Sequence, residues 1–555
     1  MTKTILDEAG DVVVYGRGLM GGKGAGLVKI AECRRLQSRK LPTRILTTSI
    51  YDRYLELGGR FAAGDLETFA EVLRGLGETP VSIRSSATDE AGFAEEGTAE
   101  VRAGENTSFM LPNNHPEPDR RFGQFVLAIR HIYEDFRRKQ PAGSAEKMAI
   151  VVNPIPGVGE DSAAGPIYFP LVSGVANSYF PYALKTQDPA DGFARVAFGH
   201  GYATVLDEFP VISVATIRQP APLRLMGPGQ RFFYAIDMTR NETLRGEELE
   251  TMKQLHVRFA PRERREPLGL DKETITFEAL VERNAFGFRD GLLEIMDAIR
   301  AQVTSHFQIE FVFNLDAPGE REARGVFHVV QLTQLPALAF DPVVLPEPAG
   351  RTYLSLAHFQ GHGVRSGIRS AVVVSPFLYG RDRQAEVKAR LAALNAAARD
   401  RGDRYILLAP GRLGSRNRDW GISVEFRDID RAAAIFEYGV DVAGRTEPLR
   451  EPEPPTRGGI YGSHFLYMIQ GGYDEDQKRA LTRIFGTQGT HFLTNLAGHN
   501  IIYGFLSPAE DAVDPWFFEP PEGAEGPVYP LEFPGPVSVF ADSTRGLCLV
   551  LEENR

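Results

Sequence analysis

Three stretches of this chain carry residue types suited to polyphosphate chemistry. The first is Leu19-Met20-Gly21-Gly22-Lys23-Gly24-Ala25-Gly26-Leu27. Glycines let backbone amides approach anionic oxygens, and the lysine within the run adds a point charge. The second is Val81-Ser82-Ile83-Arg84-Ser85-Ser86-Ala87. Its arginine offers a planar fork of donors and its hydroxyls add short ones, a set that fits a second phosphate. The third comprises Gln308-Ile309-Glu310 and, past a turn-rich loop, Gln331. Polyphosphate charge has to be neutralised during transfer, and Mg2+ takes oxygen ligands from as few as one or two side chains. Period-two alternation puts Gln308 and Glu310 on one strand face, and antiparallel pairing would set Gln331 beside them. Taken singly, Lys23 reads as a solvated lysine and Arg84 as an ion-pair partner. Glu310 is already unusual, because an unpaired carboxylate in an apolar strand is expensive.

The elements that must position these residues follow from local pattern. Residues 11–15 read as a strand entering the glycine-rich turn, and 26–35 as the helix after it. Residues 121–138 place apolar side chains at helical spacing, and 147–152 form a short buried strand. Residues 307–313 and 326–332 read as strands of a hairpin across Asn314-Leu315-Asp316-Ala317-Pro318-Gly319. The Pro- and Ala-rich run 336–350 reads as a linker. Beyond it, 371–374 and 405–408 look like strands with an Ala-rich helix over 383–399 between them. The Pro/Glu cluster at 451–455 marks a loop or insertion, and 505–540 an irregular or β-rich tail.

At 555 residues the chain is expected to hold two to four domains. Hydrophobic content of 43% and charged content of 24% suit a soluble globular protein. A net charge of −11 argues against broad binding to a nucleic-acid backbone. The two cysteines, Cys33 and Cys548, make neither a disulfide framework nor a zinc site, which fits a reducing cytoplasm. The first residues are too acidic for a signal peptide, and no run approaches the roughly 18 apolar residues of a membrane span.

The order of the glycine and arginine elements resembles the nucleotide-binding domain that opens pyruvate phosphate dikinase and phosphoenolpyruvate synthase. There G-G-K-G-A precedes V-R-S-S-A. Lys147-Met148-Ala149-Ile150-Val151-Val152 is similar to the family's K-M-A-V-V-V strand, Ser173-Gly174-Val175-Ala176 to its S-G-V-A, and Phe198-Gly199-His200-Gly201 to its later G-L-G turn. Phe93-Ala94-Glu95-Glu96-Gly97 is similar to its F-A-G loop, with Glu95 in place of the glycine. Glu310 matches a D-I-E strand and Gln331 an L-Q-x-R-P strand, with Gln308 where the family has Asp and Thr333 where it has Arg.

The resemblance implies an α/β (α+β) fold: an ATP-grasp-like unit of two subdomains, 1–115 and 116–336, a linker at 337–350, and a smaller α/β C-terminal domain at 351–555. It implies ATP and Mg2+ as cofactors. Gly21, Gly22, Lys23, Gly24, Arg84, Ser85 and Ser86 would hold the nucleotide, and Glu310 and Gln331 the metal. Lys23 and Arg84 would also be catalytic.

Relatives of this kind pass phosphate through a histidine on a swivelling domain and on to a TIM barrel. The segment 351–555 is shorter than the about 250 residues a barrel takes. At Gly462-Ser463-His464-Phe465 and Gly489-Thr490-His491-Phe492, Phe stands where a phosphohistidine motif has a small residue. Leu407-Leu408-Ala409-Pro410-Gly411-Arg412-Leu413-Gly414-Ser415-Arg416 and the run 488–496 resemble the C-terminal domain of stand-alone dikinase-like proteins. Arg412, Ser415 and Arg416 are candidate ligands for an anionic acceptor, and His491 a candidate general base or phosphate carrier. The plain alternative is that the glycines shape a turn and His491 caps a core strand. The expected activity is ATP- and Mg2+-dependent phosphotransfer or ligation to an unidentified small-molecule acceptor. The alternatives are a nucleotide-sensing module, or the ATP-binding subunit of a dikinase whose phosphohistidine domain is on a partner protein.

Overall fold

The computed structural model describes residues 2–6, 11–88, 106–140, 143–162, 165–179, 190, 192–201, 212–215, 233–238, 256–259, 277–281, 283–316, 323–335, 343–345, 350–356, 359–375, 379, 381–410, 412–414, 421–438, 496, 499–506, 511–524 and 526–553. Helices and mixed sheets make it an α+β protein. It forms two compact units. The first holds Met1–Ser178, Ala194–Thr204 and Gln230–Leu335; the second holds Tyr179–Phe193, Val205–Gly229 and Pro336–Arg555.

The first unit opens with a six-stranded sheet of β1 (Lys3–Ile5), β2 (Val12–Tyr15), β3 (Thr43–Leu46), β4 (Val81–Ala87), β5 (Phe109–Leu111) and β6 (Met148–Pro154). Their order is β1-β2-β3-β6-β4-β5. Both faces are covered, which explains why β2 is apolar at every position. Helix α1 (Gly21–Glu32) lies on one face, where Leu27 and Ala31 pack with Val12, Val14, Ile45 and Val151. Helices α2 (Thr48–Glu56), α3 (Ala63–Leu76) and α4 (Pro118–Lys139) cover the other, around Val13, Tyr15, Phe69, Ile83, Phe125 and Ile150. Since α4 and β6 belong to this layer, a boundary at residue 115 falls inside it.

Helix α1 starts five residues earlier than the pattern predicts, at Gly21, and ends at Glu32 rather than 35. Glycine is a poor helix former, so the run Gly21–Gly26 reads as a turn from sequence. Tertiary packing overrides that preference. Gly21 has φ +68, and a Cβ there would lie 2.0 Å from the Ser86 carbonyl oxygen. At Gly26 a Cβ would lie 2.1 Å from the Leu332 carbonyl oxygen. These two glycines let α1 approach the backbone of β4 at one end and that of the hairpin in its middle.

The hairpin itself is formed as expected, slightly longer, by Phe307–Leu315 and Gly325–Gln334. On its other side Phe307–Leu315 pairs antiparallel with Val172–Asn177. Helix Phe288–Arg300 packs against it, with the Phe288 ring 5.0 Å from Phe313 and 5.3 Å from Phe327. A separate four-stranded sheet holds Val158–Ser162, Gly165–Phe169, Phe233–Asp237 and His256–Phe259.

The second unit is built on a nine-stranded mixed sheet. Gly363–Val374, Tyr405–Pro410, Ala432–Tyr438 and Ile502–Phe505 run parallel, neighbour to neighbour. Helix Gln384–Arg401 makes the crossover between the first two, its Val387, Leu391 and Ala398 buried with Val372, Tyr405 and Leu407. The tail from 505 is β-rich: Val528–Asp542 pairs antiparallel with Gly363–Val374 and with Leu547–Glu552. The 451–455 cluster, the Phe93–Gly97 loop and most of 336–350 lie outside the described residues. No helix among the described residues is long and apolar enough to cross a membrane.

Candidate functional site

Strand alternation sorts the β4 motif onto two faces. Val81, Ile83 and Ala87 enter the core shared with α2–α4, so Arg84 and Ser86 face α1. Ser85 goes with the former set. It is fully buried, with its Oγ 3.4 Å from Ser108 Oγ, and the structure does not bring it to Arg84 and Ser86. Ser86 Oγ donates to the Met20 carbonyl at 2.8 Å and accepts from the Gly24 N–H at 3.1 Å. Its hydroxyl is thus inserted into the first turn of α1. Half-buried Lys23 stands on that turn, at the positive end of the helix dipole. Gly22 and Gly24 are buried beside it.

Arg84 reaches the hairpin. Its Nη1 donates to the Val330 carbonyl at 2.8 Å. Its Nη2 donates to Glu310 Oε2 at 2.6 Å and also to Gln331 Oε1. Glu310 and Gln331 are Cα partners, and the next partners are Phe311 and Val329, so Val330 is the extra residue of a β-bulge. A bulge leaves its residue out of the ladder, and Arg84 supplies the bond its carbonyl would lack. The Arg84 and Glu310 side chains are 12% and 22% exposed, so the cluster is partly open to solvent.

The same face continues in neutral groups. Gln308 stands opposite both Asn177 and Thr333, and its Nε2 donates to Asn177 Oδ1 at 2.8 Å. Gln331 Nε2 donates to Thr333 Oγ1 at 2.9 Å. Thus Gln308 and Thr333 have hydrogen-bonding partners suited to uncharged side chains. Asn177 was not singled out in the sequence, although it directly follows the Ser173–Ala176 motif and shares the alternation of Gln308.

Two oxygens that both accept from one nitrogen are already turned toward a common point. A carboxylate and an amide oxygen are hard donors suited to Mg2+. Among the described residues no three His, Cys, Asp or Glu side chains gather as a metal cluster, so the pair Glu310 and Gln331 would supply only part of a coordination shell. That fits an ion which completes its shell with water and substrate phosphates.

In the second unit, Arg412 lies on the two-residue strand Arg412–Leu413, parallel to Gly421–Ile422; its side chain, and Ser415, Arg416, His464 and His491, lie outside the described residues. A carboxylate missed from sequence is found there. Glu437 is fully buried near the end of Ala432–Tyr438, and its Oε1 accepts from the Leu413 N–H at 2.7 Å. The signal was the one that marked Glu310, a carboxylate within an apolar strand.

A scan against protein-family models returns no match for this chain, and a search of curated proteins returns none either.

Proposed function

We propose that the first unit binds ATP with Mg2+ and that the protein transfers a phosphoryl group to an acceptor, as the dikinase-like ATP-grasp proteins its motifs resemble do. The observation that supports this reading is the meeting of Arg84, Glu310 and Gln331 within hydrogen-bond reach, from stretches far apart in sequence. Lys23 and Arg84 hold phosphate oxygens in this reading, and Glu310 and Gln331 hold the ion. Mg2+ supplies charge neutralisation of the polyphosphate. The first-turn amides of α1 favour an anion nearby. The second unit, with Arg412, Ser415, Arg416 and His491, selects the acceptor, or a partner protein carries the phosphohistidine. A cytoplasmic location belongs to the same reading.

One observation favours a second reading, a nucleotide sensor with little turnover. Gln308 and Thr333 give neutral hydrogen bonds at positions where the resemblance would have a carboxylate and a guanidinium. Losing an arginine clamp costs phosphoryl transfer about three orders of magnitude or more. Incubation with ATP and Mg2+, followed by nucleotide analysis and mass spectrometry of the protein, separates the two. ADP or AMP formation, or a phosphoryl group on His464 or His491, is the transferase outcome. Bound ATP that persists unchanged with every acceptor tried is the sensor outcome.

A further inference from the structure

The guanidinium of Arg84 holds the two oxygens that the proposed reading gives to Mg2+. Nη2 bonds both Glu310 Oε2 and Gln331 Oε1, and Nη1 bonds the bulge carbonyl of Val330. A Mg2+ ion shared by the two oxygens would sit about 2.1 Å from each. The lone pairs that such an ion would use are those that already accept from Nη2, so guanidinium and ion compete for the same two oxygens. Both charges together in a part-buried seat repel strongly.

We infer that Arg84 is a displaceable latch. A divalent cation taking Glu310 and Gln331 drives the guanidinium off the hairpin, and the released guanidinium then takes a nucleotide phosphate. The inference rests on the metal-site reading above and adds an order to it, cation before arginine. Two features support it. Arg84 and Glu310, at 12% and 22% exposure, give the seat an edge on solvent beside the buried Gln331, from which a cation can enter. The bond given up at Val330 belongs to a bulge residue that is itself only half-buried, so water can replace the guanidinium on its carbonyl.

The test is Mn2+ titration followed by electron paramagnetic resonance, without nucleotide, on the full chain and on Arg84→Gln and Glu310→Gln. The latch predicts that Arg84→Gln binds Mn2+ about fivefold tighter or more, the scale of coupling between ligands sharing a site, and that Glu310→Gln loses it. Equal or weaker binding by Arg84→Gln, with the unmodified protein binding, overturns the latch and leaves the metal site standing. No Mn2+ on either protein, both folded by circular dichroism, overturns the metal site and the latch with it. A second readout needs no variant: phenylglyoxal labelling of Arg84, mapped by peptide mass spectrometry. Mg2+ alone is expected to raise the labelling, and Mg2+ with ATP to lower it. Labelling that Mg2+ leaves unchanged or reduces overturns the latch.

Discussion

Glu310 and Gln331 face each other across the hairpin, and both side-chain oxygens accept from the same nitrogen of Arg84. The pair therefore ties the first sheet to the hairpin through one guanidinium. Removing one member of a buried ion pair leaves an uncompensated charge, a loss softened here by partial exposure. Glu310→Ala is expected to cost about 2 kcal/mol in urea unfolding. In a double-mutant cycle with Arg84→Met the two losses should not add.

The glycines of α1 make opposite predictions from those of α3. At Gly26 a Cβ meets the Leu332 carbonyl oxygen at 2.1 Å, so Gly26→Ala forces helix and hairpin apart. We expect a loss of about 2 kcal/mol, the scale of overpacking. Gly75, inside α3, has nothing within 4 Å of its Cβ position. Gly75→Ala should gain up to about 1 kcal/mol from helix propensity. Thermal melts of both variants check the contrast.

Ser85 and Ser86 should separate by function as well as by face. Ser86→Ala removes the hydroxyl bridging Met20 and Gly24, and is expected to cost about 1 kcal/mol. Ser85→Ala acts on the opposite face, so nucleotide affinity measured by calorimetry should stay unchanged.

Acid should loosen the packing of α4. Burial raises the Asp135 carboxyl, but hydrogen bonds from Lys139, Thr107 and Arg138 outweigh it and hold it down at about 2. A depressed carboxyl contributes stability that is complete above its unfolded value of about 3.9 and is lost as pH falls through about 2. Unfolding midpoints should therefore drop between about pH 4 and 2, and Asp135→Asn should flatten that part of the profile.

Much of the site-bearing fold was legible because its signals are local. Alternation marked the hairpin and its polar face, and Glu310 and Gln331 pair as that pattern predicts. What failed depended on contacts distant in sequence. The start of α1 at Gly21 is set by the backbones of Ser86 and Leu332, which no local propensity reports. The two faces of Arg84-Ser85-Ser86 were implicit in strand alternation, but no strand was assigned to 81–87 and all three side chains were placed on the nucleotide. Pro530, Pro534 and Pro536 are among the residues that left the tail open between irregular and β-rich, and the structure shows the β-rich form. They lie in the part of Val528–Asp542 before Val537, where pairing with Leu547–Glu552 begins, so a missing N–H is tolerated there.

The most direct test of the central claim is calorimetric titration of ATP with Mg2+ into the full chain and into Lys23→Ala. Lys23 lies on the helix turn that Gly21 and Ser86 hold against β4, and its loss leaves the Arg84–Glu310 tie in place. The prediction is measurable binding by the unmodified protein and affinity lower by about tenfold or more in Lys23→Ala, the scale of one charge-assisted phosphate contact. No binding by the unmodified protein, or equal binding by both, would contradict it.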